Sequence, residues 1–97
     1  MLIRFEWDEA KNQSNQRKHG VSFEEASQVF RDPLHVSVQD CIEGSEQRWQ
    51  TLGMVQDCLL LLVAHTLRDQ EGAEIVRIIS ARKATPKERR RYEQENG

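Results

Sequence analysis

The stretch Cys58-Leu59-Leu60-Leu61-Leu62-Val63-Ala64-His65-Thr66, followed after a charged segment by Ile75-Val76-Arg77-Ile78-Ile79-Ser80-Ala81, decides the fold class. Both runs are short, rich in leucine and β-branched residues, and bounded by charged or turn-forming residues, which reads as buried strands. Arg48 to Val55 precedes the first run and joins it at Gln56-Asp57, as the other half of a hairpin. Upstream, His35 to Asp40 alternates like a further strand, and Cys41 to Gln47 reads as a polar loop around Gly44. Leu67 to Glu74, with Gly72 inside it, reads as a charged loop between the two apolar strands. Phe5-Glu6-Trp7 fits either a short strand or an apolar lead-in.

Helix signals flank this sheet. Asp8 is placed as an N-cap for a helix that runs to about Lys18 and ends at Gly20. Lys11 to Lys18 is wholly polar, so that helix is either solvated and packed only at its start, or it presents a polar face to a ligand. Ser22 with Glu25 forms a capping box ahead of Phe23, Ala26 and Phe30, and Asp32-Pro33 stops this second helix. Thr85-Pro86-Lys87-Glu88 opens a last helix with another capping box, and Tyr92 is its main apolar anchor. The expected architecture is a single α+β domain over residues 1–97. It has two N-terminal helices, a four-stranded antiparallel sheet and a C-terminal helix, with the helices on one face.

Composition narrows the function. With 97 residues, one core is expected. The longest apolar run, Leu59 to Ala64, is far short of the ~20 residues that span a bilayer. Charges at Arg4, Glu6, Asp8 and Glu9 argue against a secretory leader. Cys41 and Cys58 form no CxxC pair, read as ordinary free thiols and suit a reducing cytosol; Cys58, beside Leu59, is expected in the core. The net charge of −2 conceals an asymmetry: residues 77–97 carry seven basic side chains against three acidic ones. A cationic end on an acidic chain points to an anionic ligand or an acidic partner.

No HExxH or zinc-type spacing relates His19, His35 and His65 to each other or to the cysteines, so neither a metal nor another cofactor is expected. No glycine-rich phosphate loop and no GxSxG elbow is present. The arginines are more informative. By strict alternation Arg77 shares a face with Ile75 and Ile79, whereas Arg82 shares one with Val76 and Ile78. One guanidinium therefore lies on an apolar face or a bulge re-aims it, and each needs a carboxylate or phosphate partner. His19, in Lys18-His19-Gly20, suits either a helix C-terminus or proton transfer near neutral pH. His65 shares a strand face with Leu61 and Val63 and reads as a core-edge histidine. The run Lys87 to Arg91 suits phosphate attraction, and equally a solvated or partner-docking helix.

These residues also carry a resemblance. Phe5-Glu6-Trp7-Asp8, Lys18-His19-Gly20-Val21-Ser22-Phe23-Glu24-Glu25-Ala26, Val29-Phe30-Arg31-Asp32-Pro33, Gly53, His65-Thr66 and Arg68 are similar to the BrnT toxins of type II toxin–antitoxin systems. So are Arg77-Ile78-Ile79-Ser80-Ala81-Arg82-Lys83-Ala84-Thr85, Glu88-Arg89 and Tyr92, and the likeness runs over nearly the whole chain. The resemblance implies a RelE-like fold and a cytoplasmic prokaryotic endoribonuclease that halts translation. It further implies neutralisation by a BrnA-type ribbon-helix-helix antitoxin, through which the complex binds operator DNA. Residue chemistry and motif position together assign His19, Arg68, Arg77, Arg82 and Tyr92 to catalysis, with no metal ion. Lys18, Arg48, Lys83, Lys87 and Arg89 are assigned to RNA contact. In this family Thr-Glu-Arg often stands where this chain has Thr66-Leu67-Arg68, so a carboxylate base at position 67 is missing here.

Overall fold

The computed structural model describes residues 2–43 and 46–96, the side chains of residues 41–43 excepted. In chain order it contains β1 (Leu2–Glu6), α1 (Glu9–His19), α2 (Phe23–Ser27), a 3-10 turn (Gln28–Arg31), β2 (Val36–Glu43), β3 (Glu46–Val55), β4 (Leu59–Gln70), β5 (Ala73–Lys83) and α3 (Pro86–Asn96). The strands form one five-stranded sheet in the order β1-β5-β4-β3-β2. β1 runs parallel to β5, and the other neighbours are antiparallel.

Four expectations about the architecture are corrected. The sheet has five strands and is mixed, because Leu2 to Glu6 adds a parallel edge strand to β5. Residues 67–74 are not a loop: β4 and β5 continue through them to a tight turn at Glu71-Gly72, both in the left-handed region. Likewise β2 and β3 extend into the expected 41–47 loop, whose Gly44 and Ser45 lie outside the described residues. Helices also cover both faces, since α3 packs opposite α1 and α2.

The larger core lies under α1 and α2. Val21, Phe23, Ala26 and Val29 pack on Val55, Leu61, Val63, Val76, Ile78 and Ala81. Each such large side chain removed from water contributes roughly 1.5–3 kcal/mol. Trp7 meets Phe23 edge-on, and Phe5 meets Phe30, so the odd positions of the first strand face this layer. Gly53 lets the 3-10 turn ride directly on β3: a Cβ there would stand 2.7 Å from the Val29 Cβ and 2.8 Å from its carbonyl oxygen. The second core, Leu52, Leu60, Leu62 and Tyr92, seats α3 on the other face.

Helix α1 docks through amides instead of an apolar stripe. Asn12 and Asn15 are buried on an otherwise exposed helix. Asn12 Nδ2 donates to Glu9 and Glu24, and its Oδ1 accepts the Phe23 N–H at 2.8 Å, tying α1 to the start of α2. Asn15 Nδ2 donates to the Val21 and Ala81 carbonyls at 2.9 and 2.8 Å, and its Oδ1 accepts from the Ala81 N–H. Because β1 pairs with β5 only as far as Arg77, the Asn15 amide completes the open β5 edge as a neighbouring peptide group would. Cys58, expected in the core, is an exposed free thiol in the Gln56-Asp57 turn; the Cys41 side chain lies outside the described residues.

Candidate active site

Register decides which arginines meet. Arg48 pairs with Thr66, Thr66 with Arg77, and Leu62 with Arg82, so these residues share the α3 face of the sheet with Leu60, Ala64 and Arg68. Strict alternation would have separated Arg77 from Arg82. The ladder instead skips Ile79: Ala64 pairs with Ser80 and His65 with Ile78. This bulge returns both guanidiniums to one face, the second of the two outcomes that alternation allowed. The apolar contacts of α3 take one end of that face, at Leu52, Leu60 and Leu62.

Each of the four arginines meets a carboxylate. Arg68 forks onto Glu6, with Nη1 and Nη2 at 3.1 and 2.9 Å from its two oxygens, and Arg77 Nη1 donates to the same carboxylate at 3.0 Å. The cluster is solvent-accessible, with side-chain exposures of 33% for Arg68, 41% for Arg77 and 36% for Glu6. The Arg68 guanidinium, helped by Arg77, holds Glu6 below the usual carboxylate range. Arg82 forks onto Glu88 at 2.8 and 2.9 Å, and Glu88 also caps the Thr85 N–H. Arg82 is the main reason that Glu88 is held down at about 2. Arg48 lies 3.6 Å from Asp40. A groove of about 430 Å³ beside Arg68 is lined also by Gln47, Leu67, Asp69 and Glu74.

Two expected catalytic residues are not brought to this cluster. His19 ends α1, which packs on the opposite face of the sheet. Tyr92 lies on the arginine side, but its hydroxyl donates to Asp32, which also accepts from the Met54 N–H. Burial and that carboxylate push Tyr92 up to about 12, so its visible role is to tie α3 to the end of the 3-10 turn. Among the expected RNA contacts, Lys18 is exposed on α1, Lys83 pairs with Leu61 on the α1–α2 side, and Lys87 and Arg89 are exposed on α3. Leu67 packs with the α1–α2 core, so a carboxylate at that position would point away from the arginines. Among the described residues no three His, Cys, Asp or Glu side chains are placed to hold a metal ion.

Glu6 and Asp32 are partners not expected from sequence. Glu6 had a signal: as the polar residue between Phe5 and Trp7, it belongs on the opposite strand face.

His65 is a buried core histidine. Its Nε2 lies 2.7 Å from Thr51 Oγ1, which reaches Ser37, and its ring meets Phe30 edge-on. Burial pushes its imidazole down from 6.5 to about 4. The unfolded chain takes up this proton near pH 6.5 and the folded chain only near pH 4. The stability held above pH 6.5 is thus lost as the pH falls to about 4, by on the order of 3 kcal/mol. Urea denaturation at both ends of this window checks it. Wild type is expected to lose more stability than His65→Gln, and equal losses would contradict the assignment.

Residues 7–88 match the protein family described as the ribonuclease toxin, BrnT, of type II toxin–antitoxin systems. The chain belongs to the BrnT family. The match takes in Arg48, Arg68, Arg77 and Arg82, while Glu6 and Tyr92 fall just outside it. The crystal structure of the Brucella abortus ribonuclease toxin BrnT is similar in fold, with a TM-score of 0.57 and 20% identity. That similarity covers 88% of this chain and 99% of the Brucella chain. No curated protein sequence matches the chain. As a toxin of a type II system, this BrnT-family chain has an antitoxin partner and an RNA substrate. Among the described residues, no helix is long and apolar enough to cross a membrane.

Proposed function

We propose that this chain is a RelE-like, metal-independent endoribonuclease of the cytoplasm that cleaves RNA and inhibits translation. A BrnA-type ribbon-helix-helix antitoxin neutralises it and carries the complex to operator DNA. The observation that carries this reading is the gathering of Arg48, Arg68, Arg77 and Arg82 on one sheet face. Transesterification of RNA builds charge on the phosphoryl oxygens, and a planar guanidinium stabilises it through two N–H donors without ever losing its proton. Arg77 and Arg82 take that role, with Arg68 and Arg48 in support.

A second reading is that the protein binds without cutting. One observation favours it: Lys87, Arg90 and Arg91 line a groove of about 560 Å³ along α3, a surface that suits an acidic antitoxin segment or nucleic acid. Antitoxin-free protein incubated with structured RNA, with and without a chelator, separates the readings. Cleavage that survives chelation is expected. Loss on chelation, restored by a divalent ion, would contradict metal independence, and no cleavage in either arm would leave the binding reading.

A further inference from the structure

We propose that Glu6 is the general base that takes the proton from the attacking 2′-hydroxyl, a role that rests on the ribonuclease reading above. Among the described residues, the histidines and Tyr92 are placed elsewhere. His19 ends α1 on the opposite face, and His65 is buried against Thr51 and Phe30. His35 is tied through Nδ1 to the Asp32 carbonyl, and Tyr92 is occupied by the Asp32 carboxylate. Of the carboxylates paired to the arginines, Glu88 is fixed by the Thr85 N–H of the α3 cap as well as by Arg82, whereas the bonds to Glu6 come from guanidiniums that a phosphate can draw away. Asp40 lies on β2, at the far edge of the sheet. Glu6 stands between Arg77 and Arg68, where a phosphodiester held by those cations would present its neighbouring ribose.

Arg77 spends one nitrogen on Glu6, so the rest of its fork is available to phosphate. A bound phosphate competes for the same N–H donors. As they turn to it, Glu6 loses the contacts that keep it ionised and becomes a better proton acceptor at the moment of attack. A Glu6 oxygen takes the 2′-hydroxyl proton, the 2′-oxygen bonds to phosphorus, and the bond from phosphorus to the 5′-oxygen breaks. The 5′-oxygen takes a proton from water, Glu6 returns its own to solvent, and the products are a 2′,3′-cyclic phosphate and a 5′-hydroxyl.

The test uses an RNA that the wild-type protein cleaves, followed in single turnover at saturating protein. Glu6→Gln is expected to lower the rate by roughly 10²–10⁴-fold. It should not weaken the affinity for the same RNA carrying a 2′-deoxy nucleotide at the cleavage site, since Glu6 competes with phosphate for the same donors. Added imidazole, a base that does not bridge guanidiniums, is expected to restore part of the rate to Glu6→Ala. Glu6→Asp, which keeps the carboxylate, should retain activity and serves as the second variant if the others unfold. A loss confined to RNA affinity, with no imidazole rescue, would make Glu6 a positioning residue and overturn the proposal. So would a Glu6→Gln protein as fast as wild type. Wild-type protein that cuts no RNA would bring down the ribonuclease reading itself, and the base assignment with it.

Discussion

Replacing Asn15 with alanine is expected to lower folding stability by about 3 kcal/mol. The side chain is buried and satisfies three backbone groups, the Val21 carbonyl and both the carbonyl and the N–H of Ala81. Alanine leaves all three without a partner, at a cost of roughly 1–3 kcal/mol per buried group before relaxation or water entry recovers part of it. Three kcal/mol is a large share of the ~5–15 kcal/mol that holds a domain of this kind together. It corresponds to a fall in melting temperature of roughly 12–24 °C. Urea denaturation followed by circular dichroism measures it. A loss below about 1 kcal/mol would mean that the amide does not serve as the missing strand edge.

Arg77→Ala is the functional counterpart. If Arg77 stabilises the phosphorane, cleavage should slow by roughly 10²–10³-fold, the usual cost of deleting one preorganised donor. The fold should survive, because the side chain is 41% exposed and has Glu6 as its ion-pair partner. Arg77→Lys is expected to fall between the two, since an ammonium supplies charge but no fork. Single-turnover cleavage, with a melting curve on each variant, reads both quantities. Wild-type rates from a folded Arg77→Ala protein would remove Arg77 from the phosphate site. Arg82→Ala is a less clean experiment. It also deletes the fork onto Glu88 that holds the start of α3 to β5, so lost activity there mixes chemistry with helix docking.

Local signals carried over well into the structure. Asp8 accepts from the Lys11 N–H, Gly20 closes α1 in the left-handed region, and both expected capping boxes form, at Ser22–Glu25 and Thr85–Glu88. Each is decided within four residues, where backbone donors need a nearby acceptor. The failures are nonlocal. Five residues at the N-terminus become a strand only because β5 offers an edge some seventy positions later. Residues 67–74 read as a loop from sequence because their charged side chains and Gly72 show no apolar alternation. The polar stretch of α1 left open a ligand face, and its buried asparagines bind this chain's own backbone instead.

By itself, then, the sequence determined the buried strands, the caps and the family, because apolar runs, capping residues and extended motifs are properties of contiguous residues. Which side chains form a site was decided only by tertiary structure. The Ile79 bulge turns Arg77 and Arg82 to one face, and the parallel β1–β5 register sets Glu6 opposite Arg77 and within reach of Arg68. The physical reason is the two-residue period of a strand. One skipped residue reverses the facing of everything beyond it, and that skip is set by pairing between strands, not by any residue's own preference.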